Sequence, residues 1–546
     1  MAMRQGALRK GRTTGAARGA AGAMAGLAAI GLLAAAGPAA AQDDVCAGNK
    51  GGTMVVTSTQ VPRHLNPAVQ SGVATAVPGT QIFASPLRFD KDWKPVPYLA
   101  ETVDVSADGK TVTIVLRDGV TFHDGKPVTS EDVKFSIETI KANHPFQTML
   151  APVESIDTPD ARTTVLHLSQ PHPAIRLAMS PALMPIMPKH VFGDGQDAKT
   201  HPANNDPIGS GPFKLVEFVP AERIVLERNP DYFLKGLPCL DRIVINIVRD
   251  SANAVLSLER GESHMQPFTV NSRDIKRLAE DEDLAATRDG YAAVGPINWL
   301  AFNTRKSPLD NRDVRKAIAF AVDRGFITDK LQQGIAARAT GPITPDSPFY
   351  TADVELYEKD LDKANAMLDA AGFPKNADGI RFPLTIDYIP GVDEQQKNIA
   401  EFLKPTLKQI GVDLNVRAAP DFPTWAKRVA GGDFDLTMDI VFNWGDPVIG
   451  VHRTYLTDNI RPQIWTNTQG YSNPKVDELL TQAGVELDEA RRADLYREFQ
   501  KIVVDDVPIF FINLLPYHTV YDKKIGNLPV TIWGTMSPMD EVYLAK

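Results

Sequence analysis

The sequence predicts an α/β protein of at least two lobes, and three observations carry that reading. The chain has 546 residues, beyond the size at which a single hydrophobic core keeps growing. Strand-like and helix-like segments alternate along it, the pattern of α/β or α+β layers. Its content, 43% hydrophobic and 23% charged, is that of a soluble globular chain. No repeat and no low-complexity linker follows the N-terminal segment, so lobe boundaries do not show as composition changes.

The N-terminal segment stands apart. Arg4, Arg9, Lys10, Arg12 and Arg18 form a basic stretch, Ala21 to Ala36 an apolar one, and Ala39-Ala40-Ala41 a small-residue cleavage site before Gln42. That order predicts a secretory signal over residues 1–41, because the apolar run is too short for a membrane span. Neighbouring arginines are absent, which points to Sec export. Asp43-Asp44-Val45 before Cys46 does not form a lipobox, so a soluble periplasmic protein is expected. Removing the five positive charges of the signal takes the net charge from −9 to −14. Such an acidic surface disfavours nucleic acid or anionic lipid as a partner.

Cys46 and Cys239 are the only cysteines. In an oxidising compartment two thiols predict one disulfide, with two separately buried cysteines as the alternative. Neither lies in a C-x-x-C or near a histidine pair, so no metal site is expected.

The elements follow in chain order. Strands are predicted at Thr53 to Thr57, Arg223 to Glu227, Arg242 to Ile247, Pro383 to Tyr388 and Asp435 to Val441. Between Trp93 and Ile140 the reading is finer. Asp108-Gly109 is a hairpin turn, and Val112, Ile114 and Leu116 alternate on one strand face. Asp124-Gly125 is a second turn. Thr129 and Asp132 form a capping box before Val133, Ile137 and Ile140 at helical spacing. Further helices are predicted at Asn311 to Arg324, Leu361 to Ala371, Glu394 to Ile410, Pro474 to Glu486 and Glu489 to Val504. Gly372 and Gly411 close two of them in the left-handed position.

Catalytic motifs do not form. Gly209-Ser210-Gly211 lacks the G-x-S-x-G spacing and runs into Pro212, so a tight turn is expected. Gly119 and Gly125-Lys126 have the wrong spacing for a P-loop, and Pro127 stands where a Ser or Thr must bind magnesium. His123 beside a turn Asp reads as structural, and Glu280 to Asp283 as a solvated acidic loop. No HExxH, EF-hand loop or GxGxxG occurs, and no cofactor is implied.

Five segments together carry a family resemblance. They are Trp93 to Ile140 (with LRDGVTFHDGKPVTSEDVKFS), Pro207 to Gly236 (with GSGPF and NPDYF), Leu300 to Ile327 (with FNTRKSPLDNRDVRKAI), Tyr471 to Leu479, and Arg491 to Pro508. In this order they resemble the extracytoplasmic solute-binding proteins of the peptide, nickel and opine family (family 5), which feed ABC importers. The resemblance implies a two-lobed periplasmic-binding-protein clamshell of the cluster C type. Lobe I would be discontinuous, 42–86, 206–296 and 516–546. An inserted segment would cover 87–205, and lobe II 297–515. The hinge would lie near Asn298 and Leu515, with the ligand between the lobes.

The resemblance also implies cleft residues. In peptide-binding relatives the strand matching LTMDIVFNWGDP lines the cleft, and a bound peptide adds to it as a further strand. An acidic residue four positions before the Pro commonly meets the ligand's α-ammonium; here that position is Asn443, which supplies no charge. Asp446 or Asp439 would have to take the role. Trp425 and Trp444 are candidate walls, and Arg453 a candidate clamp for a ligand carboxylate. Val61 to Pro67 resembles the first cleft loop, with His64 and Leu65 facing the ligand. Asn298 would serve hinge and ligand.

The expected function is the periplasmic binding component of an ABC importer for a peptide or peptide-like solute, acting as a monomer with a membrane permease. An opine-like, metal-chelate or saccharide ligand is the alternative within the family. A secreted hydrolase would need a nucleophile–base pair or metal site that is not readable. A periplasmic chaperone or sensor would use the same clamshell.

Overall fold

The computed structural model describes residues 45–390 and 395–546. The expected signal and its cleavage site, and Glu394 at the start of a predicted helix, lie outside the described residues. Three main sheets organise the rest. A seven-stranded sheet runs Leu284–Thr287, His518–Asp522, Met265–Thr269, Thr53–Ser58, Arg242–Ile247, Arg223–Arg228 and Phe213–Val219. Its central strand pairs in parallel with Arg242–Ile247, Val55 opposite Val244. A five-stranded sheet runs Val412–Val416, Phe382–Tyr388, Leu436–Phe442, Pro296–Phe302 and Ile509–Leu514. A four-stranded antiparallel sheet takes all its strands from Ala100–Val105 through Thr163–Leu168.

Two large hydrophobic cores sit under these sheets. One joins the seven- and four-stranded sheets, and the other surrounds the five-stranded sheet. The residues around the first core are called here the first lobe, and those around the second core the second lobe. The second-lobe residues Ile440, Trp444 and Ile449 nevertheless belong to the first lobe's core. The end of one strand therefore reaches across the boundary.

Local chemistry explains the elements. Gly109 takes φ +69° at the hairpin turn, and Val112, Ile114 and Leu116 are buried on one face of the strand that follows. The Thr129–Asp132 capping box starts the Ser130–Asn143 helix, with Val133, Ile137 and Ile140 buried. Leu361–Ala370 and Gln395–Lys408 are helices, and Gly372 and Gly411 follow them at φ +89° and +82°. The predicted Asn311–Arg324 helix stops earlier. Asn311 caps Arg312–Ala321, and Asp323 then starts a separate turn by accepting from the Phe326 N–H at 2.8 Å. A short Asp side chain competing for the backbone is the reason.

The turn Gly209–Gly211 packs so closely on the carbonyl of Ile82 that a Cβ at Gly209 has no room. His123 locks it: its Nδ1 accepts from the Gly209 N–H at 3.3 Å and its Nε2 meets the Gly211 carbonyl at 3.1 Å. Burial, first among the causes, lowers its imidazole to about 4.

The chain passes between the lobes twice. Pro296–Phe302 and Ile509–Leu514 pair antiparallel, Ile297 opposite Leu514 and Asn298 opposite Asn513. The Leu515 N–H also donates to the Pro296 carbonyl at 3.2 Å. The two crossings thus form one hydrogen-bonded ribbon.

Cys46 and Cys239 form a disulfide, with Cα atoms 5.6 Å apart and a sequence separation of 193. The Gly51 N–H donates to the Cys239 carbonyl at 2.8 Å beside it. Replacing both cysteines by serine should cost about 2–5 kcal/mol by releasing a long loop in the unfolded chain. Equilibrium denaturation of oxidised protein checks this. Equal stability of wild type and double variant would contradict it.

Candidate functional site

The paired crossings are braced by an amide relay. Asn298 Nδ2 donates to Asn513 Oδ1 at 3.2 Å, and Gln396 Nε2 donates to Asn298 Oδ1 at 3.2 Å. Gln396 Oε1 then accepts from the Ile389 N–H at 3.0 Å. Its neighbour Gln395 reaches the first lobe, donating to the Val270 carbonyl at 2.8 Å. Asn298 is 1% exposed and both ends of its amide are engaged.

Beside the relay lies an incomplete strand edge. Leu436–Phe442 pairs along its whole length with Pro296–Phe302. On its other side Phe382–Tyr388 pairs only as far as Met438, extended by the Ile389 N–H donating to the Met438 carbonyl. Backbone groups alternate sides along a strand, so Ile440 and Phe442 turn their N–H and C=O toward this second edge. Among the described residues they have no strand partner there. An extended chain could be added at this edge.

Aromatic rings from distant segments close over that edge. Phe442 stacks on Tyr517 of the first lobe, with centroids 6.5 Å apart and planes 11° from parallel. Tyr517 meets Phe268 at 5.3 Å, and Phe268 meets Tyr291 at 5.1 Å. Trp444 lies 5.1 Å from Phe146 and 6.1 Å from Trp533. Phe268 and Trp444 have φ of +57° and +49°, left-handed conformations that cost a non-glycine residue about 1–3 kcal/mol and collect at ligand clamps. Gly445 follows at φ +81°; a Cβ there would come within 2.5 Å of Leu177.

Two spaces adjoin the seam. A cleft of about 730 Å³, open to solvent, is bordered by Tyr291, Pro296, Thr344, Leu515, Tyr517 and His518. An apolar pocket of about 410 Å³ lies behind Phe268 against Val56, Val77, Ile245 and Ile247.

The residues expected at a ligand fall into distinct environments. Trp444 stands in the seam. Asn443 is 3% exposed; its Oδ1 accepts from the Thr344 N–H and its Nδ2 donates to the Pro342 carbonyl, both at 2.9 Å. Arg453 lies over the Phe146 ring at 4.9 Å and donates to the carbonyls of Gly450 and Trp465 at 3.1 and 3.3 Å. Burial lowers its guanidinium to about 10, against the field of Asp439. Asp446 accepts a bidentate Arg492 fork at 2.7 and 2.6 Å and the Val448 N–H at 2.9 Å. Trp425 is fully buried in a small core with Ala419, Val429 and Phe434, and donates to Thr437 Oγ1 at 3.2 Å. Leu65 is fully buried in the first lobe's core. His64 Nδ1 accepts from the Asn66 N–H at 3.2 Å, and burial, with Arg63, lowers it to about 4.

Asn298, Trp444 and Arg453 thus gather around the strand end, through the Asn298–Ile440 pairing and the Phe146 ring. His64, Leu65 and Trp425 are held by other contacts. Phe146, Phe268, Tyr291, Tyr517 and Trp533 were not foreseen. They come from five separate stretches of sequence, and no local pattern links them.

The family description "Bacterial extracellular solute-binding proteins, family 5 Middle" matches residues 94–462. The glutathione-binding protein GsiB of Pectobacterium atrosepticum is 27% identical, over 81% of this chain and 84% of its own. The solved structure of NikZ from Campylobacter jejuni, in complex with Ni(L-His), is similar at TM-score 0.77 and 25% identity, covering 89% of this chain and 97% of its own. The binding protein DppA of Helicobacter pylori, in complex with the peptide STSA, shares the fold at TM-score 0.78 and 24% identity, covering 91% and 99%.

Asp446→Asn leaves the buried Arg492 without its counter-charge and should destabilise the protein by about 3–5 kcal/mol. Chemical denaturation checks this; a change within experimental error would contradict it. Acid should act through the buried histidines. Burial lowers His144 and His452 to about 3, and His123 and His64 to about 4. The unfolded chain therefore binds these protons first. Their contribution is full above about pH 6.5 and is lost progressively as pH falls toward the lowered values. A melting temperature measured from pH 8 to pH 4 should hold near its maximum and then fall below pH 6.5. A rise over that lower range would contradict the assignment.

Proposed function

The chain belongs to the bacterial extracellular solute-binding proteins of family 5, and we propose that it captures a peptide or peptide-like solute between its lobes in the periplasm. Proteins of this family are extracytoplasmic binding components of ABC importers. Among the described residues no helix is long and apolar enough to cross a membrane. The proposal adds Sec export with cleavage after Ala41, a monomer that docks on a two-subunit permease, and capture without chemical change of the ligand.

The observation that carries the reading is the edge at Ile440 and Phe442, which has no strand partner among the described residues and lies inside an aromatic seam made by both lobes. A peptide adds to such an edge through its main chain, which makes recognition tolerant of side chains. The adjoining cleft supplies room for those side chains. The relative named for binding glutathione, a tripeptide, and the DppA structure holding a peptide support the same ligand class. Asn298, Trp444, Asp439 and Arg453 form the proposed contact region. Asn443, Asp446, Leu65 and Trp425 are assigned to holding it in shape, and His64 to shaping its loop.

Capture follows from the hinge. Among the described residues the chain crosses between the lobes twice, so they can separate by bending the crossing ribbon. A ligand that touches both faces favours the closed form by the difference in its affinity for the two forms. Small-angle scattering with and without an equimolar library of defined tetrapeptides tests this. The radius of gyration should fall on addition, and mass spectrometry should recover the bound peptides intact. Cleaved peptides would overturn capture, and unchanged scattering with peptide bound would overturn closure.

A further inference from the structure

We infer that Gln395 and Gln332 of the second lobe form a latch on the Val270–Ser272 stretch of the first, and that this latch sets the balance between open and closed forms. This rests on the capture reading above and names side chains that hold the clamp shut. They are positioning residues, and neither belongs to the contact region proposed above. Val270 packs against the first core, whereas Leu331 and Ile399, close in sequence to the two glutamines, pack in the second.

The first lobe presents this stretch through an irregular strand. Met265–Thr269 pairs with His518–Asp522, but the register slips between Gln266 and Thr269. A bulge of this kind bends its strand. Phe268 takes φ +57° there, and Val270 to Ser272 follow. Asn271 caps the Ser272–Ala279 helix, its Oδ1 accepting from the N–H groups of Arg273 and Asp274 at 3.0 and 3.2 Å. With the cap supplied by Asn271, the Ser272 hydroxyl reaches outward and donates to Gln332 Oε1 at 3.3 Å. Gln395 Nε2 donates to the Val270 carbonyl at 2.8 Å. The two glutamines come from separate elements, one just past Ile327–Leu331 and the other opening Gln395–Lys408. They close on three consecutive residues.

Burial decides the weight of these bonds. Trp93 Nε1 also donates across the lobes, to the Asp346 carbonyl at 3.2 Å, but at the surface, where water readily replaces it. Gln332, Ser272 and Gln395 are buried, so a lost partner there is not replaced by water while the lobes stay together. The latch is nevertheless weak. Gln395 Oε1 is buried without a hydrogen-bond partner among the described residues, and parting of the lobes would return it to water. One end of this amide favours the closed form and the other the open form. Neutral hydrogen bonds of modest net worth, opposed by that acceptor, leave the remainder of closure to the ligand. The next residue, Gln396, turns to the relay on Asn298, so the start of one helix joins the latch to the crossings.

The test is pulsed electron paramagnetic resonance on ligand-free protein at pH 8, with spin labels at Lys276→Cys and Lys404→Cys, exposed positions on the two lobes. Gln395→Glu keeps the shape of the side chain but turns a second acceptor on the Val270 carbonyl; circular dichroism confirms folding. The short-distance, closed population of wild type should fall relative to the open one by about fivefold or more, the worth of at least one neutral hydrogen bond. Ser272→Ala and Gln332→Ala remove one bond from opposite lobes. Each should lower the closed population, and together they should cost no more than either alone, which a merely local structural role would not produce. Members of the defined tetrapeptide library should also leave Gln395→Glu about fivefold faster than wild type. A closed population equal in wild type and Gln395→Glu, or absent from both, would overturn the latch and leave capture standing. A shifted population with no tetrapeptide retained by either protein would overturn peptide capture and leave the latch standing.

Discussion

The hydrogen-bonded pair of crossing strands is the constraint on which the rest of the structure depends. Among the described residues Pro296–Phe302 and Ile509–Leu514 carry the chain between the two cores, and they are paired with each other. A single unpaired linker would let the lobes wander. A ribbon of two paired strands restricts them to bending about one line. The Asn513–Asn298–Gln396–Ile389 relay then ties that line to the end of Phe382–Tyr388, where the pairing of Leu436–Phe442 stops. The paired crossings and the strand edge are therefore joined by one chain of hydrogen bonds.

The interface between the lobes is lined by aromatic rings. Its aromatic pairs contribute roughly 0.5–1.5 kcal/mol each beyond area burial, and the left-handed Phe268 and Trp444 offset part of that. Ile440, Trp444 and Ile449 reach into the neighbouring core. Buried pairs such as Asp446–Arg492 stand behind them and keep the strand end in place.

Much of the fold was legible because its signals are local. The 108–140 region folds as its turn, alternation and capping box dictate, and Gly372 and Gly411 occupy the left-handed positions their helices require. The two crossing strands were harder to read as strands. Every residue of Pro296–Phe302 and Ile509–Leu514 is buried, so neither shows alternation. The site was only partly legible. Trp444 and Arg453 were named through the resemblance of one strand end, which lies beside the aromatic seam. Trp425 drew attention for its residue type, yet its ring fills a core behind the sheet. Phe146, Phe268 and Trp533 meet Trp444 and Tyr517 only through tertiary folding.

Amide hydrogen exchange at single-residue resolution across 438–443, with and without bound peptide, tests the central claim most directly. The account predicts that ligand slows exchange at the Phe442 amide on the open edge, while the crossing amides of Asn298 and Asn513 remain protected throughout. Protection that rises elsewhere in the cleft and leaves Phe442 unchanged would contradict it.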